Sequence, residues 1–404
     1  MSTHAPARPT YAAVLRLPHA RRAFASALTG RLSYGTVSLA VLLSVTRSTG
    51  SYAVSGTVLS LFGATTVFLM PLRASLIDRY GARRALPPMA ALYGILLCAL
   101  ATTTWQRGAP SVTVAALAAL AGACAPPLGP TMRAVWAELA PDPGMLARAY
   151  SLDGVAEELL YVSGPALVGA LTGVAPPASG ILLSTVLVVT GTAAFVTSPA
   201  LPGPRPAPGG RRGGTARGLL TPVAVAAGAG LALSGVDLLV MAFASRHSCD
   251  TALVPWVLGA LSAGSAVGGL VNGAVRWRAS ARVRLRGFGA GLGLVVAVAG
   301  LAPDMWTLTG AMVLAGAFIA PTLTTAYLLA DELSDEGTRT RSGAWVNTAV
   351  NAGSSGGALA TGLLIGRLPL PVCFALAGAT ALAGAVGTLG RSGRGGLRDV
   401  PAVP

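Results

Sequence analysis

Lysine is absent from this chain of 404 residues, and charged residues of all kinds make up only 11% of it. An ordinary soluble domain carries roughly a quarter charged residues. Aromatic residues are also scarce, at 5%, whereas hydrophobic residues reach 53%. So large an apolar fraction cannot be hidden in one water-soluble core. The composition therefore excludes an ordinary soluble protein and indicates a chain that lies in a lipid bilayer.

Other missing residues exclude whole classes of chemistry. Without lysine the chain has no G-x-x-x-x-G-K-[ST] loop, so it is not an ATP-driven P-loop pump. No histidine follows the G-x-S-x-G segment at Gly353, although the hydrolase order requires one. We therefore expect no enzyme, no catalytic residue, no cofactor and no metal. The cysteines lack the C-x-x-C spacing of a metal or redox site and are Cys98, Cys124, Cys249 and Cys373.

Twelve apolar segments follow one another, each close to the length of about 20 residues that a helix needs to cross a bilayer. A stretch rich in proline, glycine and arginine, from Leu201 to Gly218, divides six from six. The ninth segment is short, and Arg284 and Arg286 would lengthen it by snorkelling. The sequence therefore predicts an all-α integral membrane protein with twelve transmembrane helices. The segments lie near 25–45, 52–72, 86–104, 110–131, 152–174, 178–197, 222–244, 253–275, 288–303, 306–328, 344–365 and 370–390.

The arginines predict the orientation of these segments. With the N-terminus placed in the cytoplasm, 24 of the 29 arginines fall in cytoplasmic segments, four fall outside, and Arg31 lies within the first segment. This distribution follows the positive-inside rule. The arginines form no stripe with interleaved aromatic residues, so the net charge of +15 does not indicate nucleic-acid binding. We expect a multi-pass protein of the plasma membrane, with both termini in the cytoplasm.

The two halves of the chain resemble each other. Leu120 to Leu139 reads LAGACAPPLGPTMRAVWAEL and Leu314 to Leu333 reads LAGAFIAPTLTTAYLLADEL, at a constant offset of 194 residues. Downstream, GPAL from Gly164 matches GGAL from Gly356 at an offset of 192. These matches indicate a duplicated six-helix unit. The predicted parts are a cytoplasmic segment 1–24, a six-helix bundle 25–198, a linker 199–218, a second six-helix bundle 219–390 and a cytoplasmic tail 391–404.

The loop between the second and third segments carries the most specific motif, A-S-L-I-D-R-Y-G-A-R-R-A-L from Ala74 to Leu86. An Asp-Arg-x-Gly turn followed by basic residues in this loop resembles the signature of the major facilitator superfamily, a family of membrane transporters. The resemblance implies two pseudo-symmetric six-helix bundles around a central cavity that opens alternately to each side. The matching residues are Asp78, Arg79, Gly81, Arg83 and Leu86, whereas Ala74 and Ala82 depart from the pattern.

This loop has two interpretations. Gly81 can form a tight turn, while Asp78 at a helix end can pair with arginines and hold the two bundles closed on the cytoplasmic side. The alternative is that the loop arginines only enforce the orientation of the helices. The candidate cytoplasmic gate motif consists of Asp78, Arg79, Gly81, Arg83 and Arg133.

The fifth segment ends in a Gly-Pro pattern that resembles helix 5 of the family's exporters. Gly164 and Pro165 open this pattern, and Gly169 and Gly173 continue it. The last two are spaced as G-x-x-x-G, which lets helices pack closely. Structural packing and a functional hinge both fit these residues.

Acidic residues inside the same segment are candidates for proton coupling. Glu157 lies one to two turns inside the predicted helix, where a charge costs at least ~2.5 to 3.5 kcal/mol. Asp153 shares its helix face, whereas Glu158 is rotated by about 100°. Burial beside another carboxylate favours the protonated form, so these acids can couple transport to protons. The alternative is a static ion pair of Glu157 with Arg133 or Arg79.

Two further charges lie inside predicted spans, Arg31 in the first and Asp237 in the seventh. In the family that the chain resembles, these helices line the central cavity. The resemblance implies that Arg31 binds an anionic group and that Asp237 binds a cation or a proton. An interfacial position is the alternative for Arg31.

We therefore expect a secondary active transporter, namely a proton-coupled antiporter for efflux of a drug or metabolite by alternating access. The first alternative is a metabolite importer, because direction cannot be deduced from these residues. The second is a non-transporting receptor or scaffold on the same fold. The expected partners are a small-molecule substrate, protons and the lipid bilayer, and the chain is expected to act as a monomer.

Overall fold

The computed structural model describes residues 10–201, 215–247, 249–250, 253–275, 277–335 and 337–387. Over these residues the chain forms sixteen α-helices, and one isolated β-bridge joins Ile365 to Leu368. The predicted all-α class is confirmed. The first residues of the predicted N-terminal segment, most of the predicted linker 199–218 and the predicted tail 391–404 lie outside the described residues.

The helices follow the order of the predicted segments. The N-terminal half contains α1 Tyr11–Leu15, α2 Ala20–Thr49, α3 Tyr52–Phe68, α4 Met70–Tyr80, α5 Ala82–Thr103, α6 Ser111–Cys124, α7 Leu128–Leu139, α8 Pro143–Thr172 and α9 Ala178–Val196. The C-terminal half contains α10 Thr215–Ser234, α11 Val236–Arg246, α12 Val254–Ala274, α13 Ala281–Ala299, α14 Met305–Glu332, α15 Arg339–Leu364 and α16 Leu370–Val386. Each predicted segment overlaps one helix or a consecutive pair, the pairs being α3 with α4, α6 with α7 and α10 with α11.

Many of these helices have the character of membrane spans. In the described part of the chain, eight helices or joined pairs are long and apolar enough to cross a bilayer. The helix α16 is apolar but shorter, and α8, α13 and α15 carry more charged and polar residues along their length. The all-α membrane fold is confirmed, while the number of twelve spans stays a prediction.

Helix starts follow from local side-chain chemistry. The side chains of Ser51, Asp142, Ser280 and Asp304 each accept a hydrogen bond from the backbone amide three residues later, at the starts of α3, α8, α13 and α14. Such caps satisfy amides that have no partner inside the helix. Because Asp142 caps α8 and Pro143 presets its first turn, this helix begins well before the predicted start at residue 152.

Contacts divide the chain into two compact units, and the first contains most of the N-terminal half. Its core lies among α2, α3, α5, α6 and α9 and includes Val41, Phe62, Tyr93 and Ile181. The end of α12 and the start of α15 also belong to this unit. Its limits are Met1–Arg211, Leu270–Arg276 and Ser334–Thr348.

The second unit contains the rest of the C-terminal half. Its core lies among α11, α13, α14 and α16 and includes Phe243, Leu292, Met312 and Phe374. The discounted G-x-S-x-G segment lies inside the helix α15, where Gly353 packs so closely on α10 that a Cβ atom would stand 2.3 Å from the Ala227 carbonyl oxygen. The limits of the unit are Arg212–Gly269, Trp277–Leu333 and Ala349–Pro404.

Candidate functional site

Four charged side chains from three helices of the first unit form a closed set of ion pairs. Arg31 of α2 contacts both acids of α8, with its Nη1 2.6 Å from Asp153 Oδ1 and its Nη2 3.0 Å from Glu157 Oε2. Arg133 of α7 contacts the same acids, with its Nε 3.1 Å from Asp153 Oδ2 and its Nη2 donating to Glu157 Oε2. We name Arg31, Arg133, Asp153 and Glu157 the charge ring.

The charge ring is buried and its formal charges cancel. The side chains of Arg31, Arg133 and Asp153 are 2%, 6% and 0% exposed, whereas that of Glu157 is 25% exposed. Two guanidinium groups balance two carboxylates, and charges away from water are tolerated only in such pairs. The Tyr150 hydroxyl group adds a hydrogen bond to the Arg133 carbonyl, at 3.2 Å. Glu157 is thus the member that remains accessible from outside the ring.

The helical register of α8 brings the two acids together. Asp153 and Glu157 are four residues apart, so they project from the same face. Because α8 starts at Pro143, Glu157 lies about 21 Å along this helix at 1.5 Å per residue. The expected depth of one to two turns is therefore wrong, since the helix begins earlier than predicted.

The charge ring unites residues that the sequence assigned to different roles. Arg31 is buried and pairs with Asp153, and the alternative of an interfacial position in the membrane stays a prediction. Arg133 was predicted to belong to the gate motif, but its guanidinium group lies in the ring because α7 faces α8 here. The ion pair between Glu157 and Arg133, predicted as the alternative to a titrating acid, is present.

The remaining predicted charges are Glu158 and Asp237. Glu158 is partly exposed and makes none of the four contacts of the ring. Asp237 belongs to the second unit, where the seventh predicted span is broken at Gly235 and Asp237 falls in the first turn of α11. Its side chain is exposed.

Asp78 of the gate motif binds a helix start. It lies in the last turn of α4 and accepts backbone hydrogen bonds from Thr340, at 3.2 Å, and from Arg341, at 2.9 Å. Both amides lie in the first turn of α15, where they have no partner inside the helix. The positive end of the helix dipole also favours a carboxylate at this position. The hydrogen bonds of Asp78 thus come from two backbone amides and from the Thr340 side chain, and Arg341 also contributes its positive charge.

The other gate residues support the turn around Asp78. Gly81 has a φ angle of +81°, which a side chain would strain, so the predicted tight turn is present. Arg83 donates to the carbonyl groups of Ser198, at 3.1 Å, and Leu201, at 3.4 Å, just beyond the end of α9. Arg79 is exposed and its guanidinium carbon lies 5.2 Å from the Tyr80 ring centroid.

The Gly-Pro pattern of α8 makes its close contact at its first glycine. A Cβ atom on Gly164 would stand 2.4 Å from the Gly35 carbonyl carbon, so α2 and α8 touch there through their backbones. Gly169 has no atom of another element within 4 Å of that position, and Gly173 meets only its own helix. The predicted packing role of this G-x-x-x-G pair is therefore wrong, and the small residues that pack are Gly164 and Gly35. Pro165 is exposed within the continuous helix.

One buried cation was missed by the sequence interpretation. Arg73, counted there as a loop arginine, lies in α4 and is only 4% exposed. Its guanidinium group donates to the carbonyl groups of Gly122, at 3.0 Å, Ala125 and Thr66. The signal that could have found it is Pro126, which lacks the amide that would otherwise bond to the Gly122 carbonyl.

Comparison with known proteins identifies the family. The family model described as Major Facilitator Superfamily matches residues 23–299. None of the curated proteins compared with the chain matches it. The solved structures show 11–16% identity and therefore support the fold alone.

Three solved structures resemble the chain over most of its length. A bacterial homologue of the iron transporter ferroportin, in its outward-facing state, has a TM-score of 0.72 and 15% identity and covers 91% of this chain and 96% of its own. The proton:xylose symporter XylE has a TM-score of 0.70 and 11% identity, with 91% and 94% covered. A human organic anion transporter has a TM-score of 0.63 and 16% identity, with 90% and 97% covered. With the matched family model and this fold, the chain belongs to the major facilitator superfamily and is a multi-pass membrane transporter.

Proposed function

We propose that the chain exports a small organic compound by alternating access and that its charge ring couples this transport to protons. The observation that carries the proposal is the ring of Arg31, Arg133, Asp153 and Glu157. Ionisable residues inside membrane helices mark ion and substrate pathways. A contact with a purely structural role needs no charges, because well-packed apolar side chains are often as stable.

The charge ring supplies a link between proton binding and conformation. While Arg31 and Arg133 contact Glu157, two positive charges favour its ionised form. A proton binds readily only after these contacts lengthen, and the ring then carries excess positive charge. The two guanidinium groups can then hold an anionic group of the substrate. Proton uptake and binding of an anion thereby favour each other through the same two arginines, which fits symport, whereas antiport requires the proton and the substrate to bind in turn.

The similar structures support both parts of this proposal. XylE is described as a proton:xylose symporter, which supports proton coupling on this fold. The human relative is described as an organic anion transporter, which supports an anionic substrate. Each supports the proposal by likeness of fold, since the identities are 11% and 16%.

Import is the second candidate direction. The Gly-Pro pattern of α8 resembles that of exporters and favours an antiporter. A proton symporter on the same fold supports import of a metabolite. We also propose, from the arginine distribution, that the protein lies in the plasma membrane with both termini in the cytoplasm, and that it acts as a monomer.

The test begins with a thermal-shift screen of the detergent-purified protein against cationic drugs, sugars and carboxylates, from acidic to alkaline pH. We expect a carboxylate to stabilise the protein in a pH-dependent manner. The variant Glu157→Gln should bind it with little pH dependence, because this side chain can no longer exchange a proton. The neighbouring variant Glu158→Gln is the matched control and should behave as the unmodified protein.

Liposomes containing the purified protein then separate the candidate functions. A stabilising compound should move across the membrane under an imposed pH gradient, and its movement should carry protons. Transport that ignores the gradient and is unchanged in Glu157→Gln would show that proton coupling is wrong. Binding without any flux would favour the receptor, and the direction of the gradient that drives uptake distinguishes antiport from symport.

A further inference from the structure

A cavity lies in the first unit. Its volume is about 560 Å³, within the range of ligand-binding cavities. It is lined by α4, α5 and the end of α6, and none of its lining residues belongs to the ring. Leu69, which joins α3 to α4, forms part of the wall. The other apolar lining side chains are Leu72, Leu76, Ala85, Pro88, Met89, Leu92 and Ala123.

The cavity opens on a surface that lipid covers in a membrane protein. The lining side chains of Leu72, Leu76 and Leu92 are exposed, and they lie in the candidate spans Tyr52–Tyr80 and Ala82–Thr103. Exposed leucines in such spans face acyl chains, since the helix is surrounded by hydrocarbon. The chemical character of the wall therefore fits an acyl chain.

Positive charge borders one end of the same cavity. Arg84 lines it from the first turn of α5, and its side chain is exposed. Tyr80 lines it too, and Arg79 lies against the Tyr80 ring. Among the described residues no carboxylate lines the cavity. Asp78, the acid nearest in sequence, accepts two backbone hydrogen bonds from the start of α15.

Two other arginines near the cavity already have hydrogen-bond partners within the protein. Arg73 reaches the cavity wall, but its guanidinium group donates to backbone carbonyl groups at two helix breaks. Arg83 likewise donates to carbonyl groups beyond α9. Arg79 and Arg84 are thus the cations that remain for an anion outside the protein. Both lie beside the turn between α4 and α5, whose arginines predict the cytoplasmic side.

We propose that this cavity binds one anionic phospholipid of the cytoplasmic leaflet. Its phosphate lies between Arg79 and Arg84, and one acyl chain lies between Leu72, Leu76 and Leu92. Basic pockets between membrane helices on this side suit anionic headgroups. A zwitterionic lipid fits less well, because its ammonium group finds no carboxylate at the cavity. The bound lipid joins α4 to α5 on either side of the turn that presents Asp78.

The test uses the full chain purified in a neutral detergent. Native mass spectrometry and thermal unfolding are measured with phosphatidylglycerol and with phosphatidylcholine of the same acyl chains. We expect phosphatidylglycerol to remain bound and to raise the unfolding temperature, and phosphatidylcholine to bind about tenfold or more weakly, since one charge-assisted contact is worth roughly that factor.

Two variants separate the headgroup site from the acyl-chain site. Arg79→Gln with Arg84→Gln should weaken phosphatidylglycerol binding about tenfold or more, whereas Leu76→Trp should fill the cavity and reduce binding of the lipid with no change of charge. The matched control is Arg278→Gln with Arg282→Gln, which also removes two positive charges, here from the corresponding region of the C-terminal half.

Three outcomes would overturn the proposal. Equal binding of the two lipids would show that charge does not select the occupant. An equal loss in the double variant Arg278→Gln with Arg282→Gln would show that the effect belongs to total charge and not to this cavity. Stabilisation of the same size by inorganic phosphate alone, unaffected by Leu76→Trp, would assign the arginines to a free anion.

Discussion

The fourth and tenth predicted segments carry the same pattern, but one is broken and the other is continuous. Leu120 to Leu139 forms α6 and α7, separated at residues 125–127, whereas Leu314 to Leu333 lies almost entirely in the unbroken helix α14. At the offset of 194, Pro127 corresponds to Pro321, but Pro126 corresponds to Ala320. The broken copy thus has one proline, Pro126, that the continuous copy lacks.

The two copies satisfy their freed carbonyl groups differently. A proline leaves the carbonyl four residues earlier without its helical partner. In the broken copy the Gly122 carbonyl, freed by Pro126, receives a hydrogen bond from Arg73. In α14 the Ala317 carbonyl, freed by Pro321, faces Gly268, where a Cβ atom would stand 2.1 Å away. One copy uses a cation and the other uses close backbone packing.

The second half has no arginine at the position that corresponds to Arg73. At an offset of 199, R-Y-G-A-R from Arg79 aligns with R-A-S-A-R from Arg278, and the first residues of α5 and α13 coincide. Arg73 then corresponds to Asn272, which is also buried, at 2% exposed. A buried arginine in a membrane helix therefore need not bind substrate, since Arg73 donates its hydrogen bonds to backbone carbonyl groups.

The variant Arg73→Asn, which copies the second half, should have the largest effect on stability. It leaves the carbonyl groups of Gly122, Ala125 and Thr66 without the donor seen here. Each buried carbonyl left without a partner costs about 1–3 kcal/mol, and the Gly122 carbonyl keeps a long hydrogen bond of 3.4 Å from the Ala125 amide, so the free energy of unfolding should fall by about 4 kcal/mol. Denaturation in mixed SDS micelles measures this change.

A second substitution distinguishes the hydrogen bonds that Arg73 donates to the backbone from the general packing of its side chain. Pro126→Ala restores the amide that the Gly122 carbonyl lacks, so Arg73→Asn should cost less in that background, by about 1 kcal/mol or more. Pro130→Ala, in the first turn of α7, is the control and should give no such rescue. Additive effects of Arg73→Asn and Pro126→Ala would contradict the explanation given for the break.

The charge ring distinguishes the two halves more strongly. At the offset of 194, Arg133 corresponds to Tyr327, and at the offset of 192 Asp153 and Glu157 correspond to Trp345 and Ala349. The second half therefore has none of the three charges at these positions. The ionisable groups of the charge ring therefore occur in only one of the two matching halves.

The variant Asp153→Asn should have the next largest effect. It leaves Arg31 and Arg133 facing a single carboxylate, and an uncompensated buried charge costs about 3 kcal/mol or more. Adding Arg31→Gln restores neutrality, so the double variant should regain part of the lost free energy of unfolding. A double variant less stable than both single variants would show that the ring is not held by charge balance.

The sequence predicted the class of fold, the duplication and the acids of α8 because each has a local signal, namely hydropathy, an offset or a helical spacing of four. The tight turn at Gly81 was equally predictable, since its motif is contiguous. The partners of Arg31 and Asp78 were not. They lie 122 and more than 260 residues away, and single-sequence patterns do not say which helices pack together. Arg73 was missed because the residue type alone does not distinguish an arginine in a loop from a buried one.

Asp78→Ala should have a smaller effect than the ring variant. The backbone amides of Thr340 and Arg341 lose their acceptor, and loss of a helix cap costs about 1 kcal/mol. Asp78→Asn keeps an acceptor oxygen and should lose less stability. Equal losses in Asp78→Ala and Asp78→Asn would show that the negative charge, and not the cap, matters here. Thermal unfolding of the purified variants measures the difference.

Asp304 caps α14 and provides the smallest and most pH-dependent effect. Hydrogen bonds from Thr307 hold the pKa of this exposed carboxyl below its usual range. A lowered pKa means that the carboxylate stabilises the folded state above the ordinary value of about 3.9 and that this contribution disappears as the pH falls through the lower, folded value. Asp304→Asn should therefore lose that part of the acid dependence of the unfolding temperature while still capping the helix, and Asp304→Ala should also lower the unfolding temperature at neutral pH. The cap at Asp78 is the matched case inside a candidate span. An unchanged acid dependence in Asp304→Asn would show that the cap of α14 does not depend on the charge of this carboxyl.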